Sequence, residues 1–432
     1  MTKLKVGTAA VNITPYAGIN MTGFGNRVKP SEGIHDDLYA KAVVFYDGQI
    51  KICLVSCDLL NLDESSVSSI RNKVKNMTDI DVENVFISTT HTHSGPQVSP
   101  LRGFGKLDRQ WVSILEKKIA GAVSIANRNM VDAQLGAGIG HVEINVNRRQ
   151  RQDDRVILGV NPAGAIDYQV GIIKIQDTQD KNICTMVNYA CHPVVMGGDN
   201  YLISRDYPGY AMDFVENANG ENSIAMFFNG MTGDLNPARR GTFEDAASLG
   251  KVLGAEVVKV SEAIQTSPDV EIKTTKEIVK LNSGQLPSKE ELKAIIDRRK
   301  QEINQTEHDM EREITLTWAR DALTMVKKVK LAAKVPVEVQ VIKLGDIGIV
   351  GIPGEVFVDI GLSIKKDSPF NHTFVTGYTN GCIGYMPTQK AFQEGGYETH
   401  SAYMLYGIYP VDQNVANKII KTSLKLMQRL SN

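Results

Sequence analysis

No apolar run in this 432-residue chain reaches the ~18–20 positions that a membrane-crossing helix needs. The opening stretch, MTKLKVGTAAVNITP, also lacks the apolar centre of a secretory leader, which predicts a cytoplasmic protein without a transmembrane segment. Neither sign of charge is in excess: 48 Lys and Arg against 49 Asp and Glu give a formal charge of −1, so no electrostatic case exists for a nucleic-acid partner or an anionic bilayer. Cysteine is scarce and odd in number, five residues with no CxxC pair. Cys53, Cys57 and Cys191 sit inside the apolar runs KICLVSCDLL and NYACHPVVM, and the set is read as buried reduced thiols rather than a disulfide framework. Internal repeats, low-complexity tracts and a G-x-S-x-G nucleophile elbow are all missing.

What remains is the composition of an ordinary globular protein, 42% apolar and 22% charged. Strand-like runs such as AKAVVFYDG, KICLVSCD, ENVFISTT, VGIIKIQD and IGIVGIPG alternate with helical patterns such as DRQWVSILEKKIAGAVSIANRN. This order predicts an α/β fold of mixed β-sheets flanked by helices, with residues 1–432 forming one domain. From Leu286 to Lys334 the chain turns rich in Glu, Lys and Arg and opens with Ser288-x-x-Glu291, a capping-box pattern. Apolar stripes at Leu292, Ile295 and Ile296 and at Trp318, Leu323 and Val326 predict an inserted helical pair. A lid, plain packing and an oligomer contact are equally open roles for it.

Histidine is also scarce, eight residues in all, yet STTHTHSGP places His91 and His93 one residue apart just where the run ENVFIS should end as a strand. Period two in an extended segment turns both rings to one face, and ligands of open α/β sheets gather at the carboxyl ends of strands. His192 in NYACHPVVM and Glu355 in GIVGIPGEVF repeat the arrangement, each following an apolar run broken by proline or glycine. Two histidines and a glutamate with a vacant position for water are a usual catalytic zinc set. The spacing does not fit HxHxDH, because Gly95 and Pro96 stand where Asp and His would be, nor the N-terminal HxH of barrel amidohydrolases.

The ordered set STTHTHSGP, YACHPVVM, NGMTGDLNP, GIPGEVF and GYMPTQKAFQEGGYE resembles the catalytic domain of the neutral/alkaline, non-lysosomal ceramidases, over residues 6–403. The resemblance implies a zinc ion held by His91, His192, Glu355 and Tyr397, with His93 assisting catalysis and Arg148 positioning substrate. Asp58, Asp206 and His35 are candidates for orienting the zinc imidazoles through their second nitrogens. Two positions depart from the family pattern. Asn236 stands in GDLNP where the family has serine, and Cys382 takes the place of a tyrosine near the scissile amide. The match also ends without the β-sandwich domain that follows in the family. These differences concern substrate more than metal. The expected activity is therefore zinc-dependent hydrolysis of a small-molecule N-acyl amide, smaller or more soluble than ceramide. Ceramide itself, a metal-containing binding protein without turnover, and a hydrolase using Cys191 or Cys57 are the alternatives.

Overall fold

The computed structural model describes residues 4–220, 222–303, 310–328, 334–407 and 409–431. Twelve strands build two mixed sheets. The larger contains β1 (Lys5–Asn12), β2 (Tyr39–Tyr46), β3 (Lys51–Cys57), β4 (Val85–Thr89), β5 (Val131–His141), β6 (Gln169–Asp177), β7 (Asn182–Tyr189) and β8 (Ile224–Asn229), in the order β8-β7-β6-β5-β1-β2-β3-β4. The smaller contains β9 (Ile272–Asn282), β10 (Lys334–Leu344), β11 (Ile347–Gly351) and β12 (His372–Thr376), in that order. The pairs β3–β4, β7–β8 and β11–β12 are parallel and the other neighbours antiparallel.

Side-chain alternation explains how the layers stack. In β2 and β3, Ala40, Ala42, Val44, Cys53 and Val55 face α1 (Glu64–Met77) and α2 (Arg109–Arg128), while Val43, Phe45, Ile52 and Leu54 face the smaller sheet. The far half of the large sheet repeats this. Val187 and Phe227 meet α3 (Asp206–Asn219) and α4 (Phe243–Ser261), whereas Met186 and Phe228 join Ile349 and Phe374 between the sheets. The sheets approach closely enough that a Cβ on Gly171 would come within 2.3 Å of the Phe374 ring. Two helical layers therefore enclose two sheets, and strands buried on both faces account for the continuous apolar runs of the sequence.

Between the paired strands β9 and β10 lie α5 (Lys289–Ile303) and α6 (Met310–Lys328). Ser288 and Glu291 cap α5 reciprocally, through Glu291 N–H to Ser288 Oγ at 3.2 Å and Ser288 N–H to Glu291 Oε2 at 2.7 Å. Leu292 and Ile296 pack on Leu316, Trp318, Ala319 and Ala322 in a small core of their own. Beyond the hairpin, α7 (Val358–Lys366) and α8 (Val415–Ser431) cover the outer face of the smaller sheet. No helix among the described residues is long and apolar enough to cross a membrane.

One buried ion pair fastens the layers beside the ends of β4 and β10. Arg71 on α1 donates to Glu338 Oε1 at 2.7 Å and to the Val85 carbonyl at 2.9 Å, and Asn380 bridges Glu338 to the backbone of Ile87. Removing the guanidinium leaves this mostly buried carboxylate to the Asn380 amide and the Lys276 ammonium, 3.3 Å away, and frees the Val85 carbonyl. Arg71→Met is therefore expected to lower unfolding stability by about 2 kcal/mol in a denaturant titration.

Candidate metal centre

Three chain segments that leave the carboxyl ends of β4, β7 and β11 deliver His91, His192 and Glu355 to one buried point. Glu355 Oε2 lies 3.1 Å from His192 Nε2 and 3.4 Å from His91 Nε2. His93 joins from the side, its Nε2 3.2 Å from that of His91, and the ligand nitrogens of the three histidines all lie within 4.8 Å of one another. The convergence of His91 and His93 does not come from strand alternation. β4 ends at Thr89, and His91 takes a left-handed backbone (φ 68°) that turns its ring back toward its neighbour. That conformation is costly for a residue with a Cβ and persists where surroundings fix it. Here Tyr378, itself at φ 53°, stacks on the His91 ring with centroids 3.8 Å apart.

Each ring is held through its other nitrogen by a main-chain carbonyl. His91 Nδ1 donates to Leu60 O at 2.7 Å, His93 Nδ1 to Gly23 O at 2.9 Å, and His192 Nδ1 to Thr232 O at 2.7 Å. Gly23 has φ 103°, and a Cβ there would sit 2.7 Å from His93, so only glycine presents this carbonyl. A carbonyl can only accept, so the proton of each neutral ring is on Nδ1 and the Nε2 lone pairs face inward. Burial favours the neutral ring in His192 and His93. It pushes His192 down to about 4, helped by the Arg148 charge, and His93 well below its ordinary value, helped by His91 and His192. Two Nε2 lone pairs 3.2 Å apart beside a carboxylate repel unless a cation lies among them. The donor set thus fits a divalent metal ion.

The outer residues expected to orient the imidazoles have other partners. Neither Asp58 nor Asp206 orients an imidazole: Asp58 accepts the Tyr39 N–H and Asp206 the N–H groups of Met196 and Tyr207, both as buried backbone anchors. His35 is exposed, stacked on Phe243 and bonded to Tyr210. Cys382 lines a separate cavity of about 320 Å³ shared with Arg71, Glu338 and Asn380. The hydroxyl that reaches Glu355 is that of Tyr406, which donates to Oε1, whereas Tyr397 packs edge-on against Tyr385 at 5.7 Å.

Arg148 is buried where the short strand pair Asn145–Asn147 and Leu235–Pro237 ends. Its Nε donates to Glu398 Oε1 at 3.0 Å and its Nη2 to the Tyr385 hydroxyl at 2.9 Å, with Asn236 Oδ1 3.5 Å from Nη1. Tyr385 is the register partner of Glu355, so this network flanks the centre. Sequence reasoning missed Tyr378, Tyr385, Glu398 and Tyr406. Glu398 stands inside the motif GGYE, but nothing in AYMLYGIYP distinguishes Tyr406 from its neighbours.

A cavity of about 660 Å³ opens beside the centre. Gly23 and Tyr397 form part of its wall, with Phe104, Ile314, Met404 and Leu405 supplying apolar surface and Asn26, Glu311 and Thr315 polar groups. The cysteines take no part in this geometry. Cys191 turns its thiol to the His192 carbonyl, 3.7 Å away, and burial pushes the thiols of Cys53 and Cys184 up to about 12 and those of Cys57 and Cys191 higher still. Elemental analysis after zinc loading and desalting is expected to find near-stoichiometric metal in the parent and in Cys191→Ala, and little in Glu355→Ala or His192→Ala.

The sequence profile described as neutral/alkaline non-lysosomal ceramidase, N-terminal, matches residues 4–280. Neutral ceramidase A of Dictyostelium discoideum is 26% identical over 263 residues, spanning 55% of this chain and 36% of that protein. Neutral ceramidase of Mycobacterium tuberculosis is 24% identical and aligns over 91% of this chain and 73% of its own length. The crystal structure of neutral ceramidase from Pseudomonas aeruginosa superimposes on 99% of this chain and 75% of its own with a TM-score of 0.75 at 18% identity, a likeness of fold. A profile matching well over half of its residues makes this chain a member of the neutral/alkaline non-lysosomal ceramidase family.

Proposed function

We propose that this protein is a zinc-dependent amidase that hydrolyses N-acyl amides. The observation that carries the reading is the sharing of Glu355 Oε2 between His91 and His192, with the Nδ1 protons of both rings committed to carbonyls, next to a largely apolar cavity. His91, His192 and Glu355 are the three donors that close on one point, and they would hold the ion. His93 reaches the cluster through His91 and makes no contact with Glu355, which suits a proton carrier beside the metal better than a ligand. When bound, zinc supplies a nucleophilic water near neutral pH and polarises the amide carbonyl.

The chain's own groups divide the remaining work. His93 Nε2 accepts the proton that water loses and returns it to the departing amine, while Gly23 O keeps Nδ1 protonated and the ring oriented. Arg148, fixed by Glu398 and Tyr385, places positive charge on the flank of the centre, where it can orient the acyl oxygen. Asn236 offers an amide to the same region and cannot act as a hydroxyl nucleophile. The cavity beside Tyr397 accepts the acyl chain on Phe104, Ile314, Met404 and Leu405.

Two substrate readings have support. Asn236 in place of the family serine favours an N-acyl compound smaller or more soluble than ceramide, whereas the names of the matched relatives favour ceramide. A panel of N-acyl amino acids and short- and long-chain ceramides, assayed for free amine with and without a chelator, separates them. Chelator-sensitive release is expected from at least one class, and none from any class would overturn the reading. His93→Ala is expected to keep its zinc and lose at least about 10²-fold in kcat.

A further inference from the structure

The carboxylate of Glu355 has one oxygen turned to His91 and His192 and the other to Tyr406. The Tyr406 hydroxyl thereby engages Oε1 and leaves Oε2 facing the two histidines. Tyr406 does not belong to a long element. It ends the single helical turn Tyr403–Tyr406, whose ring contacts Gly384 and packs with Leu60, the residue whose carbonyl holds His91. What keeps this short turn in place lies on its far side.

That support comes from the inserted hairpin. The Trp318 ring of α6 meets Tyr403 edge-on at 5.6 Å, and Tyr403 and Met404 complete the hairpin's own core. Arg102 acts as a clamp between the two. It donates to Asp321 of α6 at 2.9 Å and, with its other nitrogen, to the carbonyls of Met404 at 3.0 Å and Gly407 at 2.7 Å. The segment carrying Tyr406 is thus gripped by α6 on one side and touches the metal carboxylate on the other.

We propose that the α5–α6 hairpin is a positioning element for the metal centre, which acts through Trp318 and the Arg102–Asp321 clamp to hold the Tyr406 hydroxyl on Glu355. The proposal builds on the metal reading above and adds to it a remote dependence. Metal affinity is set partly by a helix that contributes no ligand. Partners that orient a ligand commonly change metal affinity by about 10–100-fold. Trp318 and Asp321 are positioning residues in this scheme, and a merely structural role for the hairpin would leave zinc affinity unchanged in a folded variant.

The test is zinc affinity, measured by competition with a chromophoric chelator, in Tyr406→Phe, Trp318→Ala, Trp318→Phe, Asp321→Asn and the Trp318→Ala/Tyr406→Phe double variant. Tyr406→Phe and Trp318→Ala are each expected to weaken zinc about tenfold or more. The double variant should be no weaker than the worse single one, because both act on one contact. Trp318→Phe, which keeps an aromatic ring on Tyr403, should restore most of the affinity. Native affinity in a folded Trp318→Ala protein, or losses that multiply in the double variant, would overturn the proposal.

A second measurement covers the case in which Trp318→Ala unfolds the hairpin. The chain has two tryptophans, Trp111 and Trp318, so Trp111→Phe leaves Trp318 as sole reporter. Zinc should change its emission, and Tyr406→Phe should abolish that change. Zinc uptake with silent Trp318 emission overturns the coupling alone, whereas a parent chain that takes up no zinc overturns the metal reading and the coupling with it.

Discussion

The arrangement depends on one electrostatic constraint: three imidazoles whose Nδ1 atoms are bound to carbonyls, so that their Nε2 atoms turn inward, two of them onto one carboxylate oxygen. Main-chain carbonyls enforce it. Because Leu60, Gly23 and Thr232 can only accept, no ring can place its single proton between His91 and His93 without breaking a buried hydrogen bond. Protonating the second nitrogen of His93 or His192 instead would put an imidazolium where burial already disfavours charge. A divalent cation among these donors would relieve their mutual repulsion. The fold around them serves to withstand that repulsion.

How it withstands it is visible in the backbone. His91, Tyr378 and Asn380 all take left-handed conformations, each a cost of order 1–3 kcal/mol for a residue with a side chain. They are neighbours in space: Tyr378 stacks on His91, its carbonyl accepts the Thr89 N–H, and Asn380 exchanges hydrogen bonds with the Ile87 backbone. The loop after β12 thereby acts as a partial strand beside the end of β4. Arg71 and Glu338 fix that loop in turn, through the Asn380 amide. The strained turn that aims His91 is supported by an ion pair at the junction of α1 with the smaller sheet.

Much of this was legible in the sequence, for physical reasons that also mark its limits. Strands buried on both faces leave long apolar runs, so the α/β class and most strand positions could be read, as could the hairpin from the Ser288–Glu291 box, whereas β1 with its small residues and the half-exposed β9 left no such run. Histidines and a glutamate placed just after such runs point to strand ends, and the structure brings His91, His93, His192 and Glu355 together there. The outer residues were not legible. Asp58 and Asp206 look like partners for imidazoles because carboxylates often are, but carbonyl groups do that work here, and every residue carries a carbonyl. Tyr406 was hidden for a related cause. Its role comes from a turn docked between the hairpin and Leu60, and no local pattern among the tyrosines of AYMLYGIYP encodes that docking.

The choice of carbonyls over carboxylates bears on the chemistry. A carboxylate behind a metal-bound imidazole raises the basicity of the ring and softens the charge of the ion, while a carbonyl donates less. With Glu355 as the one anionic donor and Asp58 and Asp206 engaged by backbone N–H groups, a divalent ion at this centre would keep net positive charge. The Tyr406 hydroxyl draws further density from Glu355, and the buried Arg148 adds a fixed cation on the flank. Both effects favour anionic charge developing on a carbonyl oxygen, and an amide, whose carbonyl is a poor electrophile, is a substrate that needs them.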